Sequence, residues 1–294
     1  MADFFNSLFR GDWIVRLFAS FIIVLVRICE KMDGFLFRVQ QLLTGILPAL
    51  LPPHELTGMI RNHYDASYKD VATRLPETWY KWTLESWEED VLARHTMTSG
   101  TILVLGAGVG RESIALAQRG FSVVGLDINR ESLCIASQQA TAKGLTSRFA
   151  QADFLALPVG PARVDYLFMS GIMYSSIPGR ERRQAWLRSL RPCMSEQGLV
   201  VLNFLIAREL GTKTHRLIHR LNRLLTMLPG ANQSYQLGDT CSQNHFLHAF
   251  VDEHEIRSEL HDTGASVDYL SWHEGHAVLT WSRNGADPLN QPGA

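Results

Sequence analysis

The chain has 294 residues, 46% of them hydrophobic and 19% charged, so it is long enough for one large α/β domain or two small ones and too apolar to be globally disordered. A formal net charge of −1 argues against a general polyanion binder, so no nucleic-acid partner is expected. The four cysteines (Cys29, Cys134, Cys193 and Cys241) lie far apart without a CxxC pair, which suggests no zinc site, no disulfide framework and reduced thiols in a cytoplasmic protein.

The first segment, residues 1–53, is the unusual one. Leu17 to Val26 is an uninterrupted apolar run bracketed by Arg16 and Arg27. As a helix it would span roughly 15 Å, about half a bilayer core, so it is not read as a spanning helix. No basic segment precedes it and no A-x-A-like cleavage site follows, so export is not read either. A second apolar stretch, Phe35 to Leu51, ends at Pro52 and Pro53. Two amphipathic helices are expected, and two readings stay open. The arm is either an interfacial anchor, which would make the protein peripheral at the inner face of a membrane, or a helix packed on the domain or on a second subunit.

Residues 54–98 read as a helical lid rich in aromatics, among them Tyr64, Tyr68, Trp79, Tyr80, Trp82 and Trp87. The pattern then changes. Short β-branched and apolar runs at Thr101–Gly106, Ser122–Asp127, Arg148–Ala152, Val164–Ser170 and Gly198–Leu205 read as strands. Helices fall between them at about Gly110–Arg119, Arg130–Lys143 and Arg180–Met194. That alternation predicts a parallel sheet with helices on both faces. Residues 206–245 read as a helical insertion dominated by a basic amphipathic helix, Arg208–Leu228, whose apolar side is Leu210, Leu217, Leu221, Leu224 and Leu228. A helix at Asp252–Thr263 precedes two strands, Val267–Trp272 and His276–Trp281. Their link is too short for a crossover, so they pair antiparallel. The expected domain spans 54–283, and the Gly/Pro/Asn-rich tail 284–294 is expected to be loose.

The chemistry concentrates where the first strand turns into the first helix of the sheet. Gly106, Ala107, Gly108 and Gly110 form a G-x-G-x-G turn, in which glycines let backbone approach a nucleotide and a helix N-terminus offers free N–H groups. Arg111 stands where a dinucleotide fingerprint needs its third glycine. Asp127 closes the second strand, placed to accept hydrogen bonds from ribose hydroxyls, with Ile128 beside it. Ala152-Asp153-Phe154 follows the third strand, and Ser170 ends the fourth.

From Tyr64 to Trp281 the chain resembles the class I S-adenosylmethionine-dependent methyltransferase superfamily, on the strength of the glycine turn, Asp127 and Asp153-Phe154. The resemblance implies a three-layer α/β/α Rossmann-like sandwich with a seven-stranded sheet closed by an antiparallel C-terminal hairpin, plus the helical N-terminal extension. It implies S-adenosyl-L-methionine as cofactor, with Asp153 on the adenine amino group, Phe154 lining the adenine pocket and Ser170 nearby. Glu112, in the first turn of its helix, suits the helix dipole, and contact with the cofactor's amino group is the alternative reading. Small-molecule enzymes of the superfamily look similar to Asn244–Phe250, where His248 matches a histidine before an aromatic and an acidic helix start; His248, with His245 three residues away, is therefore the candidate general base. The signatures of amino-methylating DNA enzymes, cytosine-C5 enzymes, arginine methyltransferases and Mg²⁺-dependent catechol enzymes are absent, which leaves a small-molecule or lipid acceptor as the expectation. A non-catalytic S-adenosylmethionine-binding or membrane-associated scaffold and a nicotinamide oxidoreductase are the rival readings.

Overall fold

The computed structural model describes residues 22, 31–37, 39–40, 42–67, 82–157, 164–169, 171–207, 213–242 and 245–281. Ser170, Tyr68, Trp79, Tyr80, Cys29, the tail and all of the 17–26 run except Ile22 lie outside them.

Seven strands make the central sheet: β1 (Thr101–Leu105), β2 (Ser122–Asp127), β3 (Arg148–Gln151), β4 (Val164–Met169), β5 (Met194–Asn203), β9 (Ser266–Ser271) and β10 (His276–Thr280). Their order is β3-β2-β1-β4-β5-β10-β9. The first five are parallel, and β10 runs antiparallel to both β5 and β9, so the expected hairpin closes the sheet.

The alternation of side chains along each strand builds two cores. Leu105, Leu167, Met169, Val200, Leu202, Ala277 and Leu279 face one side, against Leu187 and Leu190 of α5 (Arg180–Leu190) and Ile256 and Leu260 of α7 (Glu253–His261). Ile102, Val104, Phe168, Val201 and Val278 face the other, against α2 (Ser86–Arg94), α3 (Arg111–Gln118) and α4 (Arg130–Ala142). Three layers result. Asn129 caps α4 by accepting from the Ser132 N–H at 2.9 Å, and Asp252 caps α7 by accepting from the Glu255 N–H at 2.8 Å.

The region expected as a helical insertion holds more than a helix. After β5 the chain enters a second sheet in which β6 (Leu205–Ile206) pairs parallel with β8 (His245–Phe250), and β8 pairs antiparallel with β7 (Asp239–Ser242). The predicted fifth strand therefore runs across two sheets. The reason is local: the Phe204 N–H bonds to the Gly275 carbonyl at 2.6 Å, while the Leu205 N–H turns to the Ser175 hydroxyl at 2.8 Å. α6 (Lys213–Leu225) lies between β6 and β7.

Residues 31–37, 39–40 and 42–50 are helical and lead through Pro52 into α1 (Pro53–Ser67). Leu56 and Ile60 of α1 pack with Cys241 and Phe246 of the small sheet and with Leu47 and Leu51 before them. The small sheet thus acts as the buttress of α1. Among the described residues, no helix is long and apolar enough to cross a membrane.

Candidate active site

β1 has β2 on one side and β4 on the other, so the strand order reverses there and a crevice opens at the strands' carboxyl ends. A cavity of about 350 Å³ occupies that position. Its floor comes from the residues that end or follow each strand: Gly106–Gly108 after β1, Asp127 on β2, Ala152–Leu155 after β3, Gly171–Met173 after β4 and Asn203 on β5. Thr57, Ile60, Arg61 and Tyr64 of α1 form a wall, and Glu85 and Trp87 form part of the rim.

The glycine turn behaves as its spacing predicts. Gly106, Gly108 and Gly110 all have positive φ (72°, 50° and 89°). A Cβ on Gly108 would meet nothing within 4 Å, so its backbone is open to approach from the cavity. Asp127 fixes this turn: Oδ2 accepts from the Gly108 N–H and Oδ1 from the Asn129 N–H, each at 2.8 Å. Burial pushes the Asp127 carboxyl above the usual carboxylate range, against the backbone N–H groups of Asn129, Gly108 and Ile128. Each oxygen keeps a further acceptor site for a ligand hydroxyl.

Asp153 lines the same cavity with Phe154. One oxygen accepts from the Leu155 N–H at 2.9 Å and caps a short 3₁₀ turn; the other is held by Arg61 of α1. Phe154 packs edge-on against Trp186, whose indole N–H donates to the Phe154 carbonyl at 2.8 Å. Gly106, Ala107, Gly108, Asp127, Ile128, Asp153 and Phe154 therefore all meet at one cavity. Gly110 stands just behind, at the start of α3.

Several cavity residues, among them Thr57, Arg61, Met173 and Asn203, carried no signal in the sequence. Arg111 makes two bonds of 2.9 Å to the buried carboxylate of Glu88, one to the Thr83 carbonyl at 2.9 Å and one to Glu112 at 2.6 Å. It pins the first turn of α2 to that of α3. A bidentate pair between residues 111 and 88 is invisible without the fold. Glu112 reaches the cavity as expected but shares Arg111 with Glu88. Of the aromatics in the expected lid, Tyr64 and Trp87 reach the cavity, whereas Trp82 is buried with Val109, Ile114 and Ala140.

The two histidines are the correction. Neither His248 nor His245 lines the cavity. His248 is fully buried, with Nδ1 2.7 Å from Asp239 Oδ1 and Nε2 3.2 Å from Glu255 Oε1. Both ring nitrogens face carboxylates and the ring is buried away from the cavity, so it is not placed to take a substrate proton. Its job is to tie β7 to the start of α7. His245 stacks on His63 at 4.5 Å and sits behind Tyr64.

Burial and the nearby Arg183 charge oppose protonation of His248, but Asp239 and Glu255 outweigh them and hold the imidazolium above its ordinary 6.5. Burial likewise opposes ionisation of Glu255, and His248 overrides it, holding the carboxyl below 4.5. The His248 contribution to stability is complete below 6.5 and fades as pH rises through the raised folded value. The Glu255 contribution is complete above 4.5 and fades as pH falls through the lowered one. The stability difference between wild type and His248→Gln in urea should therefore be larger at about pH 5.5 than at about pH 9. An equal difference at both would mean a neutral ring throughout.

A family model described as a methyltransferase domain matches residues 102–198, from β1 into β5, the stretch that carries the glycine turn, Asp127 and Asp153. This stretch, about a third of the chain, is thus similar to a methyltransferase domain. Among curated proteins, the demethylmenaquinone methyltransferase of Thermus thermophilus is 46% identical over 59 residues, 19% of this chain. The match spans only 27% of that relative's length. Among solved structures, the 1,6-didemethyltoxoflavin-N1-methyltransferase of Burkholderia thailandensis, with bound 1,6-didemethyltoxoflavin and S-adenosylhomocysteine, aligns at TM-score 0.55 and 16% identity over 78% of this chain and 89% of its own. A SAM-dependent methyltransferase of Methanosarcina mazei aligns at TM-score 0.52 and 19% identity, over 68% and 99%. These structural likenesses, all under 25% identity, show a shared fold. The seven-stranded order places the glycine turn and both acidic residues at the strand ends where the cavity opens.

Proposed function

We propose that the chain transfers a methyl group from S-adenosylmethionine to a small-molecule acceptor in this cavity. The reading is carried by one observation: the positive-φ glycine turn, the carboxylate of Asp127 and the Asp153–Phe154 pair all face one cavity of about 350 Å³. These residues fit the cofactor. Open space in front of Gly108 admits a ligand against backbone N–H groups. The two carboxylates stand at separate strand ends, and Ile128, Phe154 and Leu155 supply an apolar slot. An adenine amino group at Asp153 shares that carboxylate with Arg61.

When bound, the cofactor supplies a methyl group on a sulfonium, which is already a good leaving group, so the protein's part is placement. Asp127 orients the ribose and fixes the turn at the same time. Arg111 keeps the rim of α2 and α3 in place, and α1 forms one wall of the cavity. Tyr64 enters as a neutral phenol, its pKa raised by burial and by the Asp127 charge. With both histidines outside the cavity, the reading rests on proximity and alignment. Of the rival readings, the nicotinamide one loses support from Arg111, which is engaged with Glu88 where a third glycine would be needed.

The finer reading is a lipid or isoprenoid acceptor. Two observations support it: the apolar arm runs directly into α1, the cavity wall, and the Thermus relative is named for demethylmenaquinone.

Calorimetric titration with S-adenosylhomocysteine tests the main reading. Wild type should bind, and Asp127→Ala should lose about 1.5–3 kcal/mol, about one to two decades of affinity. Wild-type protein that takes up no S-adenosylhomocysteine would overturn the assignment.

A further inference from the structure

α6 is turned inside out relative to an ordinary surface helix. Its inner face holds Asn222, fully buried, with Ile218 and His219 partly covered. Asn222 donates to the Gly45 carbonyl at 2.8 Å, and Ile218 lies against Gly45. Its leucines point outward: Leu217 is 64% exposed and Leu224 63%, and Met227 and Leu228 continue the strip in the following turn. Along one edge of this strip run Arg216, Arg220 and Arg223, all exposed. No acidic residue occurs from Lys213 to Leu225. The helical arm that packs on α6 adds exposed Met32, Phe35, Leu36 and Leu43.

The expected basic amphipathic helix is thus present, but its apolar side faces solvent instead of the domain. Exposed apolar surface bordered by guanidinium groups is unfavourable in water unless something covers it. We propose that the outer face of α6, with the arm beside it, docks on an anionic lipid bilayer. The leucines enter the acyl boundary while the arginines reach headgroup phosphates. A second copy of the chain fits less well, because a two-fold pairing would set arginine edges near one another without acids on the helix to offset them. Docking also brings α1, and the cavity it walls, toward the bilayer through a continuous chain from arm to α1. The inference stands apart from methyl transfer, since its readout is binding alone.

Co-sedimentation of the full chain with vesicles of phosphatidylcholine, with and without phosphatidylglycerol, tests it. The full chain should pellet with the anionic vesicles and much less with the neutral ones. Leu217→Glu with Leu224→Glu, and separately Arg216→Glu with Arg220→Glu and Arg223→Glu, should each cut binding at least about tenfold. These side chains are exposed, and near-ultraviolet circular dichroism should stay unchanged. Three outcomes would overturn the proposal. The wild type stays in the supernatant, both variants bind as well as wild type, or sedimentation velocity without vesicles shows a dimer that the leucine variant dissolves, which would give the strip to a second copy.

Discussion

Replacing Glu259 with alanine is expected to cost about 3–5 kcal/mol of folding stability, the usual penalty for stranding one member of a buried ion pair. Arg183 and Glu259 are both wholly buried, and their bonds from Nε and Nη2 are 2.7 Å each. Burial works against the charge on Arg183, and Glu259 overrides it. Without the carboxylate, the guanidinium keeps the Ile177 backbone carbonyl at 3.2 Å, the Gln236 side-chain Oε1 at 3.0 Å and the Phe250 ring at 5.4 Å. The Tyr174 hydroxyl, which donates to Glu259 at 2.6 Å, loses its acceptor as well. Tyr174 belongs to the short 3₁₀ turn Met173–Ser176, and Met173 and Ser176 line the cavity, so the damage reaches the active site. Urea unfolding measures the loss. The companion triple change Arg183→Met, Glu259→Leu and Tyr174→Phe should recover most of it, because well-packed apolar groups of similar volume avoid the desolvation cost. A Glu259→Ala loss under about 1 kcal/mol would show that water reaches the pair.

This cluster also marks where sequence reading stops. The glycine turn and Asp127 were legible because they are local: a short span fixes a strand, a turn and a helix start, and the acid closes the next strand. Asp153-Phe154 was legible through the resemblance to the superfamily, at the position just after the third strand. Arg183, Gln236 and Glu259 come from distant parts of the chain, and no periodicity links them. His248 was misread because its place in the sequence resembles a catalytic one, while its chemistry is set by Asp239, nine residues earlier on the adjoining strand. The small sheet was missed because β6 has two residues and β7 four, lengths that leave little alternation to detect. The amphipathic pattern of α6 was plain, yet a pattern gives two faces and does not say which one meets the protein. Asn222, through its bond to the arm, decides that.

Alanine at Gly106 should harm cofactor binding more than any surface change near the cavity. Gly106 sits at φ 72°, where a Cβ costs about 1–2 kcal/mol of backbone strain. The added Cβ would also lie 1.9 Å from the Met173 sulfur, far inside contact distance. Met173 is flexible and can swing away, but it lines the cavity, so the displaced thioether takes space the ligand needs, for about 1–3 kcal/mol more. S-adenosylhomocysteine affinity in Gly106→Ala should fall by at least about one to two decades, with a smaller drop in Tm. Pairing it with Met173→Ala separates the two causes. Removing the thioether clears the collision, so affinity should partly return, while the backbone strain stays and Tm does not recover. If the double variant binds no better than Gly106→Ala alone, the turn's conformation rather than its clearance governs binding. That result would move the weight of recognition from the cavity's shape to the N–H groups that Asp127 holds in line.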